Sequence, residues 1–204
     1  MLEDPFVFRG IRDYTGNDSL KNVNWKATAR TGNLMVNEYD ESVSRNVCIL
    51  LNLEEDGVLR YDAVDEQAIS IAAGISQMLI ACGINVSMLS NGCDVDTKSP
   101  VVINNGSGIG HLNNINTALA RIDTGITMEE YSAMLEKIFE PDNMRIESEY
   151  VYVLISASRR KKLQSVINKI SRLQADMVWI VPHFPGDDYG LELCDFEPVG
   201  WEVK

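Results

Sequence analysis

NVCILLNL, residues 46–53, is the stretch on which the fold turns. Val47, Cys48, Ile49, Leu50 and Leu51 leave no polar face, so a strand here must be covered on both sides. Strands of that kind belong to parallel sheets with helices above and below. The chain downstream keeps to this plan. DAVDEQAISIAAGISQMLIACG (62–83) reads as a long helix, with acids in its first turn and Gly83 past its end. INVSMLSNG (84–92) reads as a strand, and PVVINNGSGIG (100–110) as a strand or edge segment followed by a glycine loop. HLNNINTALARID (111–123) and TMEEYSAMLEKIFE (127–140) read as helices, the second with Thr127 and Glu130 at capping-box spacing. SEYVYVLIS (148–156) is a core strand, RRKKLQSVINKISRLQA (159–175) an amphipathic helix and DMVWIVPHF (176–184) a further strand. The tail, GLELCDFEPVGWEVK (190–204), supplies one more strand or two short ones.

Upstream, PFVFRGIRDY (5–14) reads as a short strand and a turn, and NLMVNEYD (33–40) alternates like a strand. GNDSLKNVNWKATARTG (16–32) reads as a short helix over Ser19–Thr31, with Asp18 or Ser19 as N-cap and Gly32 as its stop. The expected organisation is an N-terminal extension over 1–46 and an α/β domain over 47–204, with a mainly parallel sheet flanked by helices. Ligands and partners of such sheets meet loops at the carboxyl ends of the strands. The loops to watch are therefore 52–57, 91–98, 104–111, 156–161 and 182–188.

The chain has 204 residues and a net charge of −12. That charge opposes nucleic-acid phosphates and anionic lipid, and favours basic partners. Cys48, Cys82, Cys93 and Cys194 form no CxxC or CxxH pair, so neither a zinc site nor a redox pair is signalled, and a reducing compartment is the simpler reading. The first residues, MLEDPFVFRG, lack the pattern of a signal peptide, and no apolar run is long enough to span a membrane.

Several stretches carry possible chemistry. In LNLEEDG (51–57), Asn52, Glu54 and Asp56 alternate, and their oxygens could grip a hard divalent cation such as magnesium. The plainer alternative is an acidic, solvated turn. GSGIGH places Gly106, Gly108 and Gly110 between a strand and a helix, but it is not GxGxxG and lacks a P-loop lysine. His111 and His183 are the only histidines; no Ser or Cys lies in a nucleophile-elbow context to pair with them. Arg159, Arg160, Lys161 and Lys162 open a helix, where the macrodipole disfavours cations, so an acidic partner or bound anion would relieve them. Lys26 and Arg30 share one face of the upstream helix and ask for a carboxylate between them; Asp13, Glu38 and Asp40 are near in sequence. Trp25 and Ala29 form another stripe, read as a tryptophan-anchored clasp packed on a core.

Arg12-x-Tyr14, Asp18, Val23, Trp25-Lys26, Ala29-Arg30, Gly32 and Leu34-x-Val36 together resemble the signature of the domain-of-unknown-function family 58. Here Asn17 precedes Asp18 with Gly16 one place early, Lys21 stands for the usual Arg, and Thr28 for the usual Ser. The resemblance is strong over the first third and rests on strand–helix order beyond it. It implies a von Willebrand factor A-like domain, the soluble part of a longer membrane-anchored protein, lying on the cytoplasmic side. It also implies an adaptor or assembly role in the cell envelope beside a MoxR-type AAA+ ATPase, with no catalytic residues and no cofactor. Von Willebrand A domains often hold magnesium through D-x-S-x-S after the first strand, with a Thr and an Asp from later loops. This chain reads Asn52-x-Glu54-x-Asp56 there, with Ala157-Ser158 and no Asp in the later loop, so a degenerate metal position with at most weak magnesium binding is expected. The alternative is a metal-dependent hydrolase using Glu54, Asp56 and a histidine. A third reading is nucleotide binding at the glycine loop.

Overall fold

The computed structural model of the chain describes residues 8–15, 23–39, 46–54, 62–140, 150–173, 176–187 and 197–203. They belong to two compact units, Met1–Ser44 and Arg45–Lys204. In the first, strand β1 (Phe8–Asp13), helix α1 (Trp25–Thr31) and strand β2 (Met35–Tyr39) follow one another, and the two strands pair antiparallel. Val23 forms a bridge with Val36, and both side chains are buried. That bridge corrects the expected helix over Ser19–Thr31. A residue in a β-bridge has extended backbone, so the helix begins only after it, with Asn24 as its cap. The Asn24 Oδ1 accepts the Ala27 N–H at 2.9 Å. Asp18 and Ser19 lie outside the described residues. Gly32 ends the helix as expected, at φ 75°, its N–H donating to the Thr28 carbonyl.

The second unit contains strands β3 (Asn46–Leu51), β4 (Val86–Asp94), β5 (Pro100–Gly106), β6 (Ile122–Thr127), β7 (Tyr150–Ile155), β8 (Asp176–His183) and β9 (Val199–Glu202). Its helices are α2 (Asp62–Ala81), α3 (Ile109–Ala120), α4 (Tyr131–Ile138) and α5 (Lys161–Ser171). The sheet runs β5-β4-β3-β7-β8-β9, with β6 also on β4. The β3–β4, β3–β7, β7–β8 and β8–β9 pairs are parallel. This is the α/β, mainly parallel architecture that the strand–helix order implies.

The pleat of β3 explains its apolar run. Val47, Ile49 and Leu51 pack with Ala68, Ile71 and Ala72 of α2 and Ile115 of α3. Cys48 and Leu50 point to the other face and pack with Leu135 of α4 and Ile167 of α5. Order reverses at β3: the chain goes to β4 on one side and to β7 on the other, so the switch point lies between β3 and β7.

Two elements depart from the sequence reading. First, β5 is antiparallel to β4. The connecting residues 95–99 form a tight turn in which Asp94 Oδ1 accepts the N–H groups of Asp96 and Thr97 at 2.8 and 2.9 Å. A turn that short cannot make a parallel crossover. The 104–111 glycine loop therefore lies at the opposite end of the sheet from the other loops: Gly106 pairs with Val86, the first residue of β4. Second, Thr127 lies in β6 and does not cap α4. β6 reaches β4 at Gly92, where an added Cβ would come within 2.8 Å of Leu53 Cδ1 and 2.9 Å of Ile122 Cγ2. No helix among the described residues is long and apolar enough to cross a membrane.

Ile49 is wholly buried at the centre of the sheet, whereas Val102 on the β5 edge is 61% exposed. Ile49→Ala is expected to cost about 2–5 kcal/mol, and Val102→Ala no more than about 0.5 kcal/mol. Urea unfolding of the two variants checks this; similar losses would contradict the central position of β3.

Candidate functional site

The carboxyl end of β3 projects a polar residue where the apolar run stops. Asn52 continues the ladder, its N–H donating to the Ile155 carbonyl at 2.9 Å. Its side-chain Oδ1 accepts the Glu54 N–H at 2.9 Å, closing an Asx turn, and also accepts Asn91 Nδ2 at 2.9 Å. Its Nδ2 donates to Ser156 Oγ at 2.8 Å. Asn91 returns the contact by accepting the Leu53 N–H at 2.9 Å. Ser156 Oγ accepts a further bond from the Ser158 N–H at 3.2 Å, and the Trp179 indole donates to the Ser156 carbonyl at 3.1 Å. Asn52, Asn91, Ser156 and Trp179 are all buried, so each polar atom must find a partner inside the protein. One carboxamide thus joins β3, β4 and β7 at the switch point, and Trp179 adds β8.

Glu54 extends this network to the helices. Its Oε2 accepts the N–H of Tyr131, the first residue of α4, at 3.0 Å. A side chain from another loop so satisfies a helix N-terminal donor that Thr127 does not reach. Its Oε1 pairs with the guanidinium of Arg160, the N-cap residue of α5. Tyr131 is fully buried and donates its hydroxyl to the Leu50 carbonyl at 2.8 Å; burial pushes its pKa well above the usual value. Lys162 Nζ lies 2.5 Å from Glu130 Oε2. Lys162 holds the Glu130 carboxyl below the usual carboxylate range, and Glu130 in turn raises Lys162.

These contacts answer the question raised by the four cations. Arg160 and Lys162 face acids of the chain itself, Glu54 and Glu130, across the amino ends of α4 and α5. Lys161 is exposed. Of the alternating Asn52-x-Glu54-x-Asp56 positions, the first two enter the network and Asp56 lies outside the described residues. The histidines are not with them. His111 Nε2 lies 2.8 Å from the Val86 carbonyl, at the amino end of β4. His183 is buried at the end of β8, its Nδ1 3.0 Å from the Phe184 carbonyl. β8 is two strands from β3, about 10 Å at normal strand spacing. The sequence reading marked the loops that begin at Asn91 and Ser156 without giving either residue a role, and it did not single out Tyr131 or Trp179. Their available signal was a polar residue at the end of each core strand, at Asn52, Asn91 and Ser156.

A separate open cavity of about 420 Å³ lies between β4, β5 and α4, with Cys48, Leu89, Met134 and Tyr152 in its wall. Burial pushes the Cys48 thiol up to about 11, so it stays protonated at neutral pH and is not an activated nucleophile.

The signature residues of the first unit are placed differently from expectation. Trp25 is 68% exposed, so its ring does not serve as a buried clasp. It opens α1, where helical spacing puts Trp25, Lys26, Ala29 and Arg30 along one exposed face. No carboxylate among the described residues pairs with Lys26 or Arg30. Arg12 is exposed and donates to the Asp13 carbonyl at 3.1 Å, and the Tyr14 N–H donates to the Leu34 carbonyl at 2.8 Å. What holds this unit is backbone pairing, the Val23–Val36 contact and the Thr28 hydroxyl, which accepts the Met35 N–H at 3.0 Å.

Comparison with known proteins places the sequence. Residues 10–172 match the family described as "Protein of unknown function DUF58". The chain belongs to that family. No curated protein matches the sequence. Among solved structures, it is similar to proximal thread matrix protein 1 from the mussel byssus, at 8% identity and a TM-score of 0.45. That alignment covers 67% of this chain and 37% of the mussel protein.

Asn52→Ala removes a partner from two buried side chains, Asn91 and Ser156, and from the half-buried Glu54 N–H, so a loss of about 2–4 kcal/mol is expected. Trp25→Ala, at an exposed position, is expected to change stability by no more than about 0.5 kcal/mol. Urea midpoints read both. A Trp25→Ala loss as large as that of Asn52→Ala would restore the buried-clasp reading.

Proposed function

We propose that this chain is a non-enzymatic protein-interaction or adaptor domain. It is the soluble part, on the cytoplasmic side, of a membrane-anchored protein associated with the cell envelope. Its partner in this reading is a MoxR-type AAA+ ATPase. The von Willebrand A-like arrangement belongs to the same proposal, with the carboxyl edge of the sheet as contact face and a degenerate metal position at Asn52, Glu54 and Asp56.

The observation that carries the proposal is the mutual commitment of the polar groups at that edge. A hydrolytic site needs carboxylates and a base converging on a space where a reacting atom can sit. Here the Glu54 carboxylate is held at one oxygen by the Tyr131 N–H and at the other by Arg160. His111 sits at the far end of β4, and His183 is buried two strands away. This weighs against a metal-dependent hydrolase built on Glu54, Asp56 and a histidine. A rigid edge with exposed side chains around it suits recognition. Within the basic run Lys161 is exposed, and Arg159 is half-buried beside it.

Affinity capture with a purified MoxR-type ATPase tests the reading. Arg159→Glu with Lys161→Glu is expected to weaken capture at least about tenfold, with the unfolding midpoint little changed. Unchanged capture would remove this face. Loss of capture in Trp25→Ala with Lys26→Glu would move the contact to the exposed face of α1.

A further inference from the structure

We infer that the Arg160 guanidinium is a resident cation, standing in for the divalent metal ion that von Willebrand A domains hold at this edge of the sheet. The inference deepens the interaction-domain reading and rests on it. A hard divalent cation asks for about six to eight oxygen ligands with lone pairs turned toward it. The described side-chain oxygens of Asn52, Asn91 and Ser156 are turned elsewhere. Asn52 Oδ1 accepts two hydrogen bonds, from the Glu54 N–H and from Asn91 Nδ2. Ser156 Oγ accepts from Asn52 Nδ2 and from the Ser158 N–H. Asn91 Oδ1 is taken by the Leu53 N–H. Asn52 Nδ2 donates within this set, to Ser156 Oγ, and an amide donor repels a cation. The described residues of this set therefore do not fit a divalent ion.

Among the described residues of this set, the charge that remains is the Glu54 carboxylate, whose side chain is only 15% exposed. A carboxylate withdrawn from water needs a counter-charge, and the planar guanidinium of Arg160 supplies it. Asn52, neutral where the metal-binding pattern has an aspartate, avoids adding a second negative charge that one guanidinium would leave unbalanced. The substitution also changes the mechanics. A metal ion can leave; Arg160 is covalently part of the segment entering α5. Through Glu54 it ties the β3 loop to α5, while the other oxygen ties the same loop to α4. The arrangement of the face is then independent of cation concentration.

Two measurements test this. Thermal unfolding is followed after chelation and again with excess magnesium, manganese or calcium chloride. The native chain is expected to keep its midpoint, whereas Asn52→Asp with Arg160→Met is expected to gain a saturable rise, as mass action requires for an ion that binds only the folded state. Amide NMR supplies the second, independent of whether the double variant folds. Arg160→Met is expected to shift the Tyr131 amide resonance and speed its hydrogen exchange, and Arg160→Lys to leave it close to native. A saturable rise in the native chain that Glu54→Gln abolishes would overturn the inference. So would a folded double variant without a cation response, or an unmoved Tyr131 amide in Arg160→Met. ATPase capture is a separate readout, so the adaptor reading can fail while this one stands, and the reverse.

Discussion

A strand paired on both edges and buried on both faces can meet polar chemistry only at its ends, and β3 meets it at Asn52. Leu50 and Leu51 pack on opposite layers, and both backbone edges of β3 are spent on β4 and β7. The next residue has to satisfy itself among the ends of three strands. The Asn52 carboxamide does so with one donor and one acceptor group directed at neighbouring strands, which an apolar residue could not. A buried network of this type is stabilising only when complete, because each orphaned member carries its full desolvation cost. The contacts of Asn52, Asn91 and Ser156 meet that condition among themselves and with adjacent backbone.

Glu54 transmits this order to the helical layer on one side of the sheet. Its carboxylate receives the amino end of α4 and the N-cap arginine of α5 together. The pairing also removes a local conflict. Arg160 and Lys162 sit where the helix dipole disfavours positive charge, and Glu54 and Glu130 offset it. An edge built this way is pre-arranged. Under the proposed interaction role, that would spare a docking partner the cost of ordering the surface it meets. In the first unit the order comes from different physics: a two-stranded ribbon, a short helix capped at both ends and a small Val23–Val36 contact. There the Trp25 ring and its neighbouring cations are left on the outside.

Much of the fold was legible residue by residue. The apolar run at Val47–Leu51 announced a doubly covered strand, and α2 occupies Asp62–Ala81 almost as its flanking acids and glycine imply. Gly32 stops α1 where its conformational freedom predicts. The signature around Arg12, Trp25-Lys26 and Arg30 identified the family, although the burial inferred for Trp25 was wrong. A large aromatic ring at helical spacing from an alanine carries no mark of whether a core exists for it to enter. The start of α1 was misplaced because Asp18 and Ser19 are as good caps as Asn24 on residue type alone.

The sequence by itself determined which segments are apolar on both faces, which are amphipathic and where glycine ends a helix. Those properties are local and repeat with the period of the element. Only the tertiary structure decided that β5 runs backwards, that Asn52 meets Asn91 and Ser156, and that Glu54 caps α4 while pairing with Arg160. Those partners are separated by 39, 104, 77 and 106 positions respectively. A hydrogen bond between such residues leaves no periodic trace in either segment. It exists because strand order brings their ends together, and strand order is set by the packing of the whole sheet.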